Sequence, residues 1–145
     1  IRIMEAHENY TMQHQDIRLE NRIAYGDVIE GVDFGYAKKL TAVNAINLAS
    51  LAWAPPAVKN FSIGGIVQAS AKFKWGKVDD PKISGYKIYW RDTTSPTWQY
   101  ERFVGDVNSH KLEGIVIDNF FFGISTVGKN GFESEIVFPN SIFKE

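Results

Sequence analysis

Residues 73–92 read FKWGKVDDPKISGYKIYWRD, and the fold turns on how this stretch is read. Its second half alternates. Tyr86, Ile88 and Trp90 fall on one face of an extended chain, and Lys87, Tyr89 and Arg91 fall on the other. Trp75 closes the first half. Between the halves, Asp79, Asp80 and Pro81 supply turn chemistry, since proline cannot join a central strand ladder. The stretch predicts two strands joined by a short connection, with Trp75, Tyr86 and Ile88 turned inward.

The same period continues on both sides. Upstream, FSIGGIVQASAKFKW gives two short strands around Gly64-Gly65. Downstream, WQYERFV, HKLEGIVI, NFFFGISTV and FESEIVF follow, punctuated by Asp, Asn and Gly. About seven short strands in roughly ninety residues describe an antiparallel sandwich. Phe122 and Ile124 join the expected core by the same alternation.

The pattern changes at APP, residues 54–56. Before it, Asp33 is placed to cap a helix through FGYAKKLTAVNAINLASLAWA, which Pro55 and Pro56 end. Its apolar residues form a broad stripe rather than a thin seam. IRIME at the start reads as a strand, and residues 9–31 read as loop with short helical pieces. The domain expectation is therefore 1–54 as one segment and 55–145 as the sandwich.

Bulk composition excludes several functions. The net charge is −1, and the charge balance is nearly even in both parts of the chain, so nucleic acid and anionic lipid are not implied as partners. There is no cysteine, which removes disulfides, thiolate metal sites and cysteine nucleophiles. The apolar run near residues 45–54 is broken by Asn47 and Ser50 and is too short to span a bilayer. The chain opens at Ile1 without a signal-peptide pattern, so it is expected to be a processed or truncated piece of something longer.

Residues 55–139 resemble a fibronectin type III domain. The resemblance rests on FKWGKVDDPKISGYKIYWRD and on NFFFGISTVGKNGFES. Phe120 stands where that family usually has a tyrosine that ties down a corner, so the corner hydrogen bond cannot be made there. Such a fold does not imply an activity. Asp79 and Asp80 can bind a cation, although a solvated loop is the blander reading. Trp98, Tyr100 and Tyr89 can stack on a sugar or a partner, with cross-strand packing as the plainer reading.

NYTMQHQDIR, residues 9–18, together with the run from Tyr25 to Pro55, resembles the end of a zinc-dependent exopeptidase of the bacterial leucyl aminopeptidase and glutamate carboxypeptidase family. The run from Tyr25 to Pro55 resembles the closing segment of one bacterial branch of that family, in which the catalytic domain is often followed by a fibronectin-like domain. The resemblance implies His14 as a terminal zinc ligand and Tyr10 close by, supporting the loop. Glu8 and Asp16 either hydrogen-bond to ligands or are solvated. It also implies two zinc ions about 3.5–4 Å apart that activate a bridging water and polarise the peptide carbonyl. The remaining ligands and the general base would lie upstream. No HExxH motif is present, and the only other histidines are His7 and His110.

The leading expectation is a C-terminal fragment of a secreted or periplasmic zinc aminopeptidase, not catalytic by itself, with an accessory sandwich. Its partners would be a peptide substrate in the parent, and the rest of the catalytic domain or a second copy covering the 34–54 helix. The alternative is a non-enzymatic extracellular binding or spacer module.

Overall fold

The computed structural model describes residues 7–143. The strand expected over IRIME lies outside the described residues. The chain divides into two compact units, Ile1–Ala49 and Ser50–Glu145.

The first unit holds a small hairpin of β1 (Arg18–Glu20) and β2 (Ile23–Tyr25), a 3-10 turn at Ile29–Gly31, and most of helix α1 (Phe34–Trp53). The hairpin was not legible as such. Its two-residue turn is Asn21-Arg22, both at positive φ (50° and 65°), as a type I′ turn requires. Asn-Gly would have announced that turn; Asn-Arg does not. α1 begins where expected, with the Tyr36 N–H donating to Asp33 Oδ1 at 2.9 Å. No residue of α1 is buried. Ile46, Leu48 and Leu51 are each about two-thirds exposed, at 65%, 69% and 66%.

The second unit is a β-sandwich. One sheet runs in the order β7-β4-β3-β9, from β3 (Lys59–Gly64), β4 (Ser70–Gly76), β7 (Ser109–Glu113) and β9 (Ser141–Ile142). The other runs β6-β5-β8, from β5 (Ile83–Asp92), β6 (Tyr100–Gly105) and β8 (Phe120–Gly128). All pairings are antiparallel except β9 with β3. This is the mostly β sandwich that the alternation implies, with the fibronectin type III-like form that the resemblance implies, and a loop-plus-helix segment precedes it.

The core forms where the two inner faces meet. Trp75, Tyr86, Ile88, Phe122 and Ile124 are all buried, as their alternation requires. Trp75 sits edge-on to Tyr86 at 5.3 Å between ring centroids, and Phe73 packs on Phe122 at 5.1 Å. Phe120 opens β8 without a hydroxyl to offer. A different tyrosine ties down a turn: the Tyr86 hydroxyl accepts the Val78 N–H at 2.7 Å, across the connection that VDDP forms.

The seventh strand departs from expectation. Residues 132–138 meet β8 only at isolated bridges, Val127 with Glu133 and Ile124 with Val137. The chain then crosses to the other sheet, where Asn140 N–H donates to the Phe61 carbonyl at 2.9 Å and Phe143 N–H to the Ile63 carbonyl at 3.1 Å. Pro139, with no N–H, sits in the crossing. Within this same unit the ring of Trp53 lies 5.5 Å from that of Phe132, and its carbonyl accepts from Asn130 Nδ2 at 3.2 Å.

Candidate functional site

The loop expected to carry the metal ligand is short and locally held. Asn9 accepts from both the backbone N–H and the hydroxyl of Thr11, at 3.1 and 2.7 Å. That turn leads to His14, an exposed residue at φ 53°, in the left-handed region. What holds it there is its backbone. The His14 N–H donates to both carboxylate oxygens of Asp27, at 3.2 and 3.0 Å. A residue thirteen positions on therefore fixes this backbone, and nothing on the ring is consumed in doing so.

Tyr10 is also exposed, at 70%. The neighbouring Glu8 carboxylate accepts from its hydroxyl and holds its pKa above the ordinary phenol value. Asp16 is exposed, and its carbonyl accepts a long 3.4 Å bond from Arg18 Nη1. An open hollow of about 800 Å³ lies between the loop and the first turns of α1, lined by Glu8, Met12, Asp27, Asp33 and Tyr36 among others.

Zinc needs three or four ligands converging at about 2.0–2.3 Å. Among the described residues, no three His, Asp or Glu side chains come together in such a group. Asp27 already accepts from the His14 backbone. The described residues of this chain do not make a zinc site by themselves, and His14 would need ligands from elsewhere.

The sandwich residues singled out from sequence separate into three environments. Asp80 Oδ1 accepts from Lys82 N–H at 2.8 Å, which makes it a turn-forming residue. Tyr89 is buried at 8% exposure and packs on Trp98 at 5.9 Å. Tyr100 stacks on Trp90 at 5.5 Å and remains 45% exposed.

Sequence reasoning missed a highly connected polar cluster among the described residues. The Glu133 carboxylate accepts from Lys87 Nζ at 2.6 Å, from Ser125 Oγ at 2.9 Å and from the Tyr89 hydroxyl. Lys87 also reaches Glu101 at 3.4 Å. Burial pushes the Glu133 carboxyl up, but the hydrogen bonds from Lys87, Tyr89 and Ser125 outweigh it and leave its pKa lowered. Lys87 is raised above the ordinary lysine value, chiefly by its bond to Glu133. Burial, and then the bond to Glu133, raise the Tyr89 phenol. The alternation of Lys87 with Tyr89 and of Gly123 with Ser125 put these side chains on an outer face, but only the fold brings Glu133 to them.

The comparisons with known proteins bear on the whole chain. Over 140 residues it is 40% identical to a protein of Pyrenophora tritici-repentis named "Probable zinc metalloprotease", a match that covers 96% of this chain and 29% of that protein. A protein of the same name from Phaeosphaeria nodorum is 37% identical over 142 residues, covering 96% and 29%. These relatives are zinc metalloproteases by name. This chain spans about 29% of their length. They are fungal, and the expectation of a bacterial branch finds no support in them. No family model matches. Among solved structures, an Fn3-like protein from Clostridium thermocellum superposes with a TM-score of 0.48 at 15% identity, over 63% of this chain and 97% of that one. A titin module from human cardiac muscle gives 0.48 at 22% identity, over 61% and 88%.

Proposed function

We propose that this chain is part of a longer zinc metallo-exopeptidase of the aminopeptidase type, in which residues 1–54 close the catalytic domain and residues 55–145 form an accessory sandwich. The observation that carries the reading is the 37–40% identity, over 96% of the chain, to proteins named zinc metalloproteases that extend well beyond it. The similarity covers the His14 loop and the sandwich together.

In this reading His14 is a terminal ligand of one of two zinc ions. Asp27 sets the backbone from which the imidazole projects, and Tyr10 supports the loop. The remaining ligands, the general base and the peptide-binding pocket come from the rest of the longer protein. That remainder also covers α1, whose exposed Leu48 and Leu51 would otherwise stay in water at a cost of about 25 cal/mol per Å² of apolar surface. Its peptide-cleaving role suits a secreted protein. A second reading, a free-standing binding module, is favoured by the aromatic outer face of the sandwich described below.

The test is an exopeptidase assay on the longer protein. It should release single residues from the free amino end of unblocked peptides and leave N-acetylated peptides intact, and His14→Ala should remove at least 99% of that activity. Cleavage of acetylated peptides at internal bonds would contradict the aminopeptidase reading. Full activity of His14→Ala would remove His14 from the site.

A further inference from the structure

The two outer faces of the sandwich differ in chemistry. On the β7-β4-β3 side, Lys72, Lys74, Ser62 and Lys111 face outward in register. On the β6-β5-β8 side, Tyr89, Phe103 and Phe121 do so, with Trp98 and Phe138 laid against one another at 5.5 Å. Phe103, Phe121 and Phe138 are 52%, 43% and 50% exposed.

Arg91 stands on the aromatic part of this face, near the end of β5 and in register with Phe121. Its guanidinium carbon lies 4.7 Å from the Phe121 ring centroid and 5.5 Å from that of Trp98. One nitrogen, Nη1, donates to the Ser95 carbonyl. Among the described residues no carboxylate pairs with it, whereas Arg18, Lys77, Lys87 and Lys111 each have one. A cation held by rings on the surface, with spare parallel donors, is pre-organised for a carboxylate.

A cleft adjoins it. Where the chain leaves β8 after Val137 and crosses to β3, it opens a gap of about 520 Å³ along the β8 edge, lined chiefly by Ile63, Phe120, Phe121, Phe122, Phe138 and Ile142. Phe121 belongs to both features, facing Arg91 and lining the cleft, and Phe138 joins the cleft to Trp98. Asp118 is the only charged side chain in the lining and can accept the N–H groups of an extended chain.

We propose that the cleft and Arg91 together bind an extended peptide segment carrying an apolar side chain next to a carboxylate. The apolar side chain fills the cleft, and the carboxylate takes the guanidinium bidentately. Charge complementarity selects this occupant, because a neutral glycan would leave the unpaired cation unused. The inference does not rest on the protease reading.

The probe is the N-acetylated hexapeptide amide Gly-Glu-Leu-Glu-Phe-Gly, titrated into the 145-residue chain to about 1 mM, a range that detects even weak sites. Amide shifts should move at residues 120–122, at 138 and at 140–142. Replacing both glutamates of the peptide by glutamine should weaken binding at least tenfold, and Arg91→Lys, which keeps the charge and loses the fork, about fivefold. The Arg91→Lys amide spectrum elsewhere reports that the fold is kept. Silence of those amides, equal affinity for the glutamine peptide, or an unchanged Arg91→Lys would each overturn the proposal. So would a neutral oligosaccharide, or self-association of the chain, moving the same amides while the peptide does not.

Discussion

Replacing Glu133 by alanine should be the most costly single change on the outer surface of the sandwich, and the cost should depend on pH. Three donors lose their acceptor at once: Lys87, Tyr89 and Ser125. Breaking a fully buried ion pair by removing one partner costs about 3–5 kcal/mol. This pair is only mostly buried, with 19% of the lysine and 28% of the glutamate side chain exposed, and Lys87 keeps Glu101 at 3.4 Å. Solvent screening reduces the figure to about 2 kcal/mol. At a urea slope of about 1–1.5 kcal/mol/M for a domain of this size, the midpoint should fall by about 1.3–2 M. All four tryptophans lie in Ser50–Glu145, so emission in urea reads this unit alone.

The pH sign follows from the directions of the shifts. Glu133 has its pKa lowered in the folded chain, so its contribution is full above the ordinary carboxylate range and is lost as pH falls through the folded value. Lys87 is raised, so its contribution is full below the ordinary lysine value near 10.4 and is lost as pH rises through the folded one. Wild type should therefore show a stability plateau from about pH 5 to pH 10, and Glu133→Gln should lose most of the decline on the acid side. A midpoint change below about 0.3 M for Glu133→Ala, or an unaltered acid decline in Glu133→Gln, would refute the reasoning.

Three further outcomes follow from packing. Trp75→Ala should cost about 3–5 kcal/mol, measured by urea unfolding, because the ring is only 5% exposed and contacts both Phe61 and Tyr86. Gly123→Ala should push both Ile136 and Trp98 away from β8, since an added Cβ would stand closest to Ile136 Cγ2 and 2.9 Å from the Trp98 ring; expect about 1–3 kcal/mol of destabilisation and a red-shifted tryptophan emission. The isolated chain should either self-associate in sedimentation or exchange the amides of residues 34–51 quickly, because α1 buries no residue and a lone helix of this length is marginal in water; a strict monomer with slow exchange there would count against it.

How much of this was legible in the sequence depended on whether the signal was local. Tyr86, Ile88, Phe122 and Ile124 announce their burial by alternation within a single strand, and Asp33 announces the start of α1 by its spacing. The hairpin at 18–25 was hidden because Asn21 and Arg22 adopt positive φ without a glycine to mark it. Residues 132–138 alternate like a strand, but Glu133 turns toward Lys87 and Tyr89, and the chain leaves the sheet at Pro139. The Glu133 cluster and the Arg91 site each draw on residues from separate strands and loops, so no window of sequence contains them. His14 was singled out by resemblance alone. The structure adds the Asp27 bonds that set its backbone, which no local pattern displays.

The central claim, that His14 is one ligand of a zinc site completed by the rest of a longer protease, is tested most directly by counting zinc. Metal content per chain should be measured after exhaustive dialysis for three proteins: the longer protein, its His14→Ala variant and the isolated 145-residue chain. The account predicts two zinc ions per longer chain, a loss of at least one in His14→Ala, and binding weaker than about 1 µM by the isolated chain, which offers one ligand where a site needs three or four. Unchanged zinc in the folded His14→Ala protein, or tight stoichiometric zinc on the isolated chain, would contradict it.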